Sequence, residues 1–340
     1  MFFSLLVAAT GIGQDNGFTE KAEARNLKKD TLKEGKWVRY FGLEGYETND
    51  TAAPYYELVI YKDSKQQGIV RLYEKGGRLD REVPYLNGII EGVFKEYYSN
   101  GNIWSETPFV NGKRNGVEKT YYEDGRLQFE TIFVDGKKTG ISKGYYESGA
   151  IHYETPYVNG DASGVEKTYY KNGKLETETP YVGGEADGIV ITYSQSGKIK
   201  MESPNKDGLT DGVEKEYFDS VENKAANGDA DTGKLNKYKD GELICETPYS
   251  KGRKMGIEKN YYPAGKLKIE IPYQEDSING KEKWYYPTGK IHAEIPYKAD
   301  KINGKEKWFY EDGKLQLEIS YINDVSVGSK SYDKNGTEIK

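Results

Sequence analysis

The chain has 340 residues, with 49 Lys and Arg against 55 Asp and Glu, and a formal net charge of -6. This mild acidity argues against nucleic-acid binding, which needs a basic surface, and against docking on anionic lipid. Much of the apolar area is supplied by 31 tyrosines, whose rings can be buried while their hydroxyls stay hydrated. We therefore expect a thin, extended structure without a deep globular core.

The N-terminus begins with an apolar segment, FFSLLVAATGIGQ at residues 2–14. An apolar run followed by small residues is typical of a secretory signal, so residues 1–14 are predicted to be a signal-like segment. This prediction places the protein outside the cytoplasm, whether secreted, periplasmic or on the cell surface. An ordinary apolar strand is the alternative, and a cytoplasmic location would then follow. Residues 15–34 are predicted to be an N-terminal linker or cap.

From residue 68 onward, glycines recur with a period of 24 residues, broken once between Gly212 and Gly256, which indicates a repeat protein. Each such glycine is numbered position 0 of its repeat, and a second glycine follows at position +9 in most copies. The position 0 glycines are Gly68, Gly92, Gly116, Gly140, Gly164, Gly188, Gly212, Gly256, Gly280, Gly304 and Gly328, with Gly35 opening a degenerate first copy.

Between the glycines, each repeat contains two segments with strand chemistry. Positions +1 to +6 read VEKTYY at 117–122, and a second run such as KLETETPY at 174–181 follows a turn sequence. The sequence therefore predicts an all-β fold: an elongated antiparallel meander of about twelve 24-residue β-hairpin repeats that form a long twisted sheet. The array is predicted to cover residues 35–340, with an inserted loop at 219–238 that interrupts the period.

The turn inside each hairpin has two interpretations. A three-residue loop with the +9 glycine in the left-handed region would place Tyr at +5 opposite Leu or Ile at +11, but Glu at +14 opposite +2. A two-residue turn would place the same Glu opposite +3, where Lys or Arg is usual. The three-residue loop is favoured because it contains a type I turn, and Pro263 and Pro287 suit the second position of that turn.

The pattern G-x-x-x-x-Y-[YF]-x-[ND]-G-[KR]-[LI]-x-x-E-x-P-Y resembles the MORN-repeat-variant family of bacterial proteins. The resemblance covers nearly all of residues 35–340 and implies hairpins stacked side by side. Some relatives in that family are described as antitoxin components, so the resemblance also implies an antitoxin-like role as one expectation. It carries over no catalytic residues.

Candidate catalytic groups are sparse in this sequence. His152 and His292 both occupy +12, a position that also accepts Asp, Trp, Gln, Glu and Lys, so both are expected to be surface residues. Cys245 is the only cysteine, which excludes an internal disulfide and a thiolate metal cluster. The Glu at +14 forms an unbroken row of equivalent residues. A paired-carboxylate glycosidase would instead need two acids in different environments, so the row is expected to be structural. The row contains Glu82, Glu106, Glu130, Glu154, Glu178, Glu202, Glu246, Glu270, Glu294 and Glu318.

These observations predict a non-enzymatic, exported repeat scaffold that needs no cofactor or metal and binds a partner protein along its sheet face. Nucleic acid and membrane insertion are not expected. One alternative is a carbohydrate or cell-wall binding repeat protein with a glycan partner, and another is an antitoxin or immunity-type protein that binds a toxin. The candidate partner-binding residues are the tyrosines at +5 and two tryptophans: Tyr97, Tyr121, Tyr145, Tyr169, Tyr193, Tyr217, Trp284 and Trp308.

Overall fold

The computed structural model describes residues 17–220 and 238–339. The signal-like segment at 1–14 and almost all of the inserted loop at 219–238 lie outside these residues. The chain divides into two compact units, Met1–Asp161 and Ala162–Lys340. Both are built from antiparallel strands, with two short 3-10 turns at Lys21–Glu23 and Pro263–Gly265, so the predicted all-β meander of hairpin repeats is confirmed.

In the first unit, consecutive strands pair antiparallel from the N-terminal end onward. Its strands are β1 (Leu27–Lys29), β2 (Leu32–Phe41), β3 (Glu47–Thr48), β4 (Tyr55–Lys62), β5 (Lys65–Glu74), β6 (Leu79–Leu86), β7 (Ile89–Ile90), β8 (Gly92–Tyr97), β9 (Ile103–Val110), β10 (Lys113–Arg114), β11 (Gly116–Tyr121), β12 (Leu127–Val134), β13 (Lys137–Tyr145) and β14 (Ile151–Val158), and β15 (Asp161–Ala162) lies at its end.

The second unit repeats the same pairing. Its strands are β16 (Gly164–Tyr169), β17 (Leu175–Val182), β18 (Glu185–Ala186), β19 (Gly188–Tyr193), β20 (Ile199–Lys206), β21 (Leu209–Thr210), β22 (Gly212–Tyr217), β23 (Leu243–Ser250), β24 (Arg253–Lys254), β25 (Gly256–Tyr261), β26 (Leu267–Gln274), β27 (Ser277–Ile278), β28 (Gly280–Tyr285), β29 (Ile291–Lys298), β30 (Lys301–Ile302), β31 (Gly304–Phe309), β32 (Leu315–Ile322), β33 (Val325–Tyr332) and β34 (Glu338–Ile339).

Each repeat contains two different turns. Between β8 and β9, the Gly101 amide donates to the Tyr98 carbonyl at 3.0 Å, and the Tyr98 amide donates to the Asn102 carbonyl at 2.8 Å. These bonds enclose the three-residue loop that the sequence favoured, with Gly101 at a φ of +87°. Between β9 and β10, Asn111 and Gly112 both have positive φ and form a two-residue turn of the type that suits hairpins.

The predicted pairing of Glu at +14 with +2 is wrong, because a β-bulge follows the three-residue loop. Tyr121 lies opposite Leu127, as expected, but the register then shifts by one residue, and Lys119 lies opposite Glu130. The extra residue, Gln128 at +12, has no partner on β11. The bulge therefore reconciles a three-residue loop with the opposite-charge pairing that seemed to require a two-residue turn.

The position 0 glycine is required where proline occupies +16 of the preceding strand. Gly116 has a φ of +124°, and a Cβ atom there would lie 2.8 Å from Cγ of Pro108. The strand is interrupted at this point, between β10 and β11. Where Ile132 replaces the proline, β13 runs without interruption through Gly140, whose φ is +66°.

Buried apolar side chains are concentrated near the N-terminal end of the first unit. Leu58, Tyr56 and Tyr73 pack against Phe18 on one side of the sheet. Val59, Tyr61 and Val70 form a second cluster that includes Trp37 and Tyr85. Elsewhere most strand residues are only half-buried, as expected for a single sheet.

Candidate functional site

The strand register divides the side chains of each repeat between two faces. Because side chains alternate along a strand and opposite residues share a face, +1, +3, +5, +14, +16 and +18 lie together, on what we call the tyrosine face. Positions +2, +4, +13, +15 and +17 lie on the other, the tryptophan face. In β28 and β29, for example, Lys283 (+3) opposes Glu294 (+14), and Trp284 (+4) opposes Ala293 (+13).

The candidate tyrosines at +5 form a row on the tyrosine face, and their hydroxyls bond to the glutamates of the preceding hairpin. Each observed distance lies between 2.7 and 2.9 Å. The pairs are Tyr97 with Glu82, Tyr121 with Glu106, Tyr145 with Glu130, Tyr193 with Glu178, and Tyr217 with Glu202, and Tyr169 holds the same position on β16. The side chains are half-buried, so the row is neither a closed core nor an open surface.

The same glutamates also meet the basic residue at +3 of their own hairpin. Lys95 lies 3.3 Å from Glu106, and Arg71 lies 2.8 Å from Glu82. Burial, and then the hydrogen bond to Glu, raises the pKa of Tyr121, Tyr145, Tyr193 and Tyr217 to about 12. Tyrosine, glutamate and lysine thus form a repeating polar network that ties adjacent hairpins together, a structural role for the glutamate row.

The second tyrosine of each doublet, at +6, makes a hairpin-to-hairpin contact that the sequence analysis missed. The Tyr98 hydroxyl donates to the Tyr121 carbonyl at 2.7 Å, and the Tyr122 hydroxyl donates to the Tyr145 carbonyl at 2.7 Å. Tyr170 and Tyr286 make the same bond in the second unit. The recurrent Tyr-Tyr doublet was the available signal for this second tie.

Trp284 and Trp308 lie on the tryptophan face, so the structure does not bring them onto the surface formed by the tyrosine row. Both flank the small, fully buried Ala293, and their rings meet edge to face at 5.9 Å. The Trp284 indole donates to Glu282, and the Trp308 indole donates to Glu306 at 2.5 Å. Each tryptophan is therefore packed and hydrogen-bonded.

The two histidines both stack on tyrosines at hairpin tips. His152 lies 4.3 Å from the Tyr146 ring, and His292 lies 4.3 Å from the Tyr286 ring and 5.1 Å from Trp308. Burial lowers the pKa of His292. In the described ranges, no group of three or more His, Cys, Asp or Glu side chains is arranged to hold a metal ion.

An exposed aliphatic belt runs along the tyrosine face, at positions +1 and +18. In the first unit the belt consists of Val93, Val110, Val117, Val134, Ile141 and Val158, and in the second of Val165, Val182, Ile189, Val213 and Ile257. In the next two repeats, lysines replace the aliphatic residue at +1 as Lys281 and Lys305. The sequence analysis did not identify this belt, because Val and Ile at +1 were attributed to strand propensity alone.

The ends of the inserted segment are held within the repeat pattern. Phe218 takes the +6 position and stacks on Tyr238 at 5.2 Å. The hydroxyl that Phe218 lacks is supplied by Tyr238, which donates to the Tyr261 carbonyl. Buried Asp219 accepts a hydrogen bond from Ser194 at 2.6 Å. The hairpin between β22 and β23 therefore closes as in the other repeats.

The architecture defines the class of this protein as an antiparallel β-hairpin repeat protein. Seven of its segments match the MORN repeat variant family, so these segments are repeats of that family, as the sequence pattern indicated. The matched residues are 90–111, 114–135, 138–159, 162–182, 256–275, 278–299 and 302–323.

The chain also matches solved structures, at low sequence identity. It matches the "Crystal Structure of TcdB2-TccC3-TEV" with 15% identity and a TM-score of 0.17, over 84% of this chain and 18% of that one. It matches the "Crystal Structure of TcdB2-TccC3-Cdc42" with 15% identity and a TM-score of 0.17, over 90% of this chain and 20% of that one. The chain thus spans about a fifth of the length of these structures. No curated protein matches it.

Proposed function

We propose that this protein is a non-enzymatic repeat scaffold that binds a partner protein along its tyrosine face. The observation that carries this proposal is the aliphatic belt. Its residues are well exposed, for example Val213 at 44% and Ile189 at 56%. Exposed apolar side chains that recur in register, rather than singly, are characteristic of protein interaction surfaces.

The polar network beside the belt, on the same face, supports the same function. The tyrosine and glutamate side chains are bonded to each other, so they hold the sheet in a defined geometry before a partner arrives. A surface that is already ordered loses little conformational entropy on binding. The tyrosines are accordingly proposed to position the surface, and the belt to supply the apolar contact.

Photo-crosslinking from single positions tests this proposal in the native host. A benzophenone amino acid at Val213 should yield one discrete adduct with another protein. The same group at Lys281, which occupies position +1 of another repeat, is the matched control and should yield little of that adduct. Once identified, the partner is purified and titrated against Val213→Lys, a change that the fold accepts because Lys281 and Lys305 already occupy this position.

The expected result is a loss of at least about tenfold in affinity for Val213→Lys, equivalent to about 1.4 kcal/mol. Lys281→Ala should bind as the wild type does. Equal crosslinking at both positions, or an unchanged Kd for Val213→Lys with the crosslinked protein, would remove the belt as the binding surface.

Export is part of the same proposal and depends on residues 2–14 of the sequence. Mass spectrometry of the native protein should find an N-terminus near Asp15. Intact Met1 on protein recovered from the cytoplasm would contradict export and favour an antitoxin or immunity-type role, in which the partner is a toxin.

The carbohydrate-binding alternative depended on Trp284 and Trp308. Sugar-binding aromatic residues present an open ring face, whereas these two rings pack on each other and both indole groups already donate to glutamates. No feature of the described residues favours a glycan over a protein partner, and the protein partner is retained.

A further inference from the structure

A cavity of about 500 Å³ lies on the tryptophan face of the first unit. It is formed by β2, β4, β5 and β6 together with the loop between β2 and β3. Its size is within the range of small-molecule binding sites. This site is distinct from the aliphatic belt, which occupies the tyrosine face, and the inference below does not depend on the proposed partner.

The walls of the cavity combine apolar side chains with polar groups. Val70, Leu72 and Val83 lie on adjacent strands, with aromatic rings from Phe41, Tyr55 and Tyr85 around them. Leu43 lines the rim from the loop, yet 84% of its surface remains exposed. A molecule seated in the cavity would cover this side chain, which would contribute hydrophobic stabilisation to binding.

Charged groups also line the cavity. Glu57 lines it and binds the Arg39 guanidinium through Oε2 at 2.9 Å, whereas Oε1 has no hydrogen-bond partner among the residues described. Asp80 and Arg81 also line the cavity and pair at 2.8 Å. The lining residues thus include two carboxylates and one guanidinium, with a carboxylate oxygen available to accept a hydrogen bond.

Aromatic rings in this part of the sheet already carry cations on their faces. The Arg39 guanidinium lies 5.0 Å from the centre of the Phe41 ring, and Lys33 lies 5.0 Å from the centre of the Tyr61 ring. Attraction between a cation and an aromatic face is strengthened when water is excluded. Tyr55 and Tyr85 also line the cavity, so a bound cation would lie near aromatic side chains.

From this arrangement we propose that the cavity binds a small organic amine in its cationic form, with an aromatic or aliphatic body among Val70, Leu72 and Tyr85. The ammonium group donates to Glu57, and Leu43 covers the body from the rim. A cationic ligand would also compensate for the burial that raises the pKa of Glu57.

The test uses three probes of the same shape and different charge. Phenethylamine, 2-phenylethanol and 3-phenylpropionate are each titrated into the full-length protein, with binding followed by calorimetry and by amide NMR shifts. We expect saturable binding of the amine, at least about tenfold weaker binding of the alcohol, and no binding of the carboxylate. Shifts should be confined to residues of β2, β4, β5 and β6 and the loop Gly42–Tyr46.

Two substitutions assign the charge. Glu57→Gln should weaken amine binding by at least about tenfold, because the ammonium group then donates to a neutral amide in place of a carboxylate. A tenfold change in Kd corresponds to about 1.4 kcal/mol. Glu44→Gln makes the same change on the exposed loop and should leave binding unaltered. Val83→Phe, which fills the cavity, should abolish binding of amine and alcohol alike, with circular dichroism confirming the fold.

The proposal is overturned if none of the probes shows saturable binding, or if the amine and the carboxylate bind equally. It is also overturned if Glu57→Gln and wild type bind the amine with the same Kd. Because the belt substitution Val213→Lys should not change amine binding, failure of this proposal and failure of the proposed scaffold function are separable.

Discussion

Tyr145 shows how single residues hold this array. Its hydroxyl bonds to Glu130 at 2.7 Å, and its carbonyl accepts from the Tyr122 hydroxyl. Both bonds join Tyr145 to the preceding hairpin, one through its side chain and the other through its backbone. Replacing this tyrosine by phenylalanine would remove the bond to Glu130 and leave the backbone bond, as at Phe309, whose carbonyl accepts from the Tyr286 hydroxyl.

Tyr145→Phe should reduce the free energy of unfolding by about 1–2 kcal/mol, because a hydrogen bond to a charged group contributes about 1.5–3 kcal/mol and this one is only half-buried. Urea unfolding measures the difference. Tyr46→Phe is the matched control: Tyr46 is 75% exposed, and this substitution should change stability little. Equal stability of both variants would show that the Tyr145–Glu130 bond contributes nothing.

The hairpin is the repeating element of this fold. Position 0 of each hairpin lies against position +16 of the preceding repeat, and where +16 is proline this contact requires glycine at position 0. Gly116→Ala places a methyl group 2.8 Å from Pro108 at a φ of +124°, a region almost confined to glycine. Gly140→Ala is the matched change in the same unit, at a φ of +66° against the flexible end of Ile132.

We expect Gly116→Ala to cost about 3 kcal/mol and Gly140→Ala about 1 kcal/mol. Thermal unfolding followed by circular dichroism compares the two. Adding Pro108→Ala to Gly116→Ala should recover part of the loss, since the clash is with the proline ring. Identical losses at both glycines would mean that proline has no part in requiring glycine at position 0.

Much of this element could be predicted from the sequence. The 24-residue period, the three-residue loop and the pairing of Tyr121 with Leu127 all follow from where glycine, proline and aromatic residues recur. The bulge at Gln128 could not be predicted, because that position accepts many residue types and leaves no chemical pattern. The contact between Gly116 and Pro108 was also missed, since it joins residues from two repeats.

The site was less predictable than the fold. Tyr97 and Tyr121 were correctly placed in one row, but their bonds to Glu82 and Glu106 depend on a register that the bulge alters. The cavity near Glu57 is formed by the degenerate first copy together with the repeat that Gly68 opens, so the repeat pattern guides prediction for only part of its lining. A repeated sequence pattern therefore predicts the features that all hairpins share, but it does not predict features that occur only once in the chain.

Across the whole molecule, the same tyrosine network predicts how stability depends on pH. Burial and hydrogen bonding to Glu raise the pKa of Tyr121, Tyr145, Tyr193 and Tyr217 from 10.0 to about 12, so the folded state favours the protonated phenol. A raised pKa stabilises the fold fully below the unfolded value, and this stability is lost as the pH rises.

We therefore expect the free energy of unfolding to fall steadily between about pH 10 and about pH 12, the interval between the unfolded and folded pKa values. Urea unfolding at a series of pH values measures this slope, and tyrosinate absorbance should rise together with the loss of the β-sheet signal. In the double variant Tyr121→Phe and Tyr145→Phe, two of the groups are removed and the slope should be smaller, although the protein is less stable at neutral pH. An equal slope in the wild type and the double variant would show that Glu106 and Glu130 do not hold these two hydroxyls.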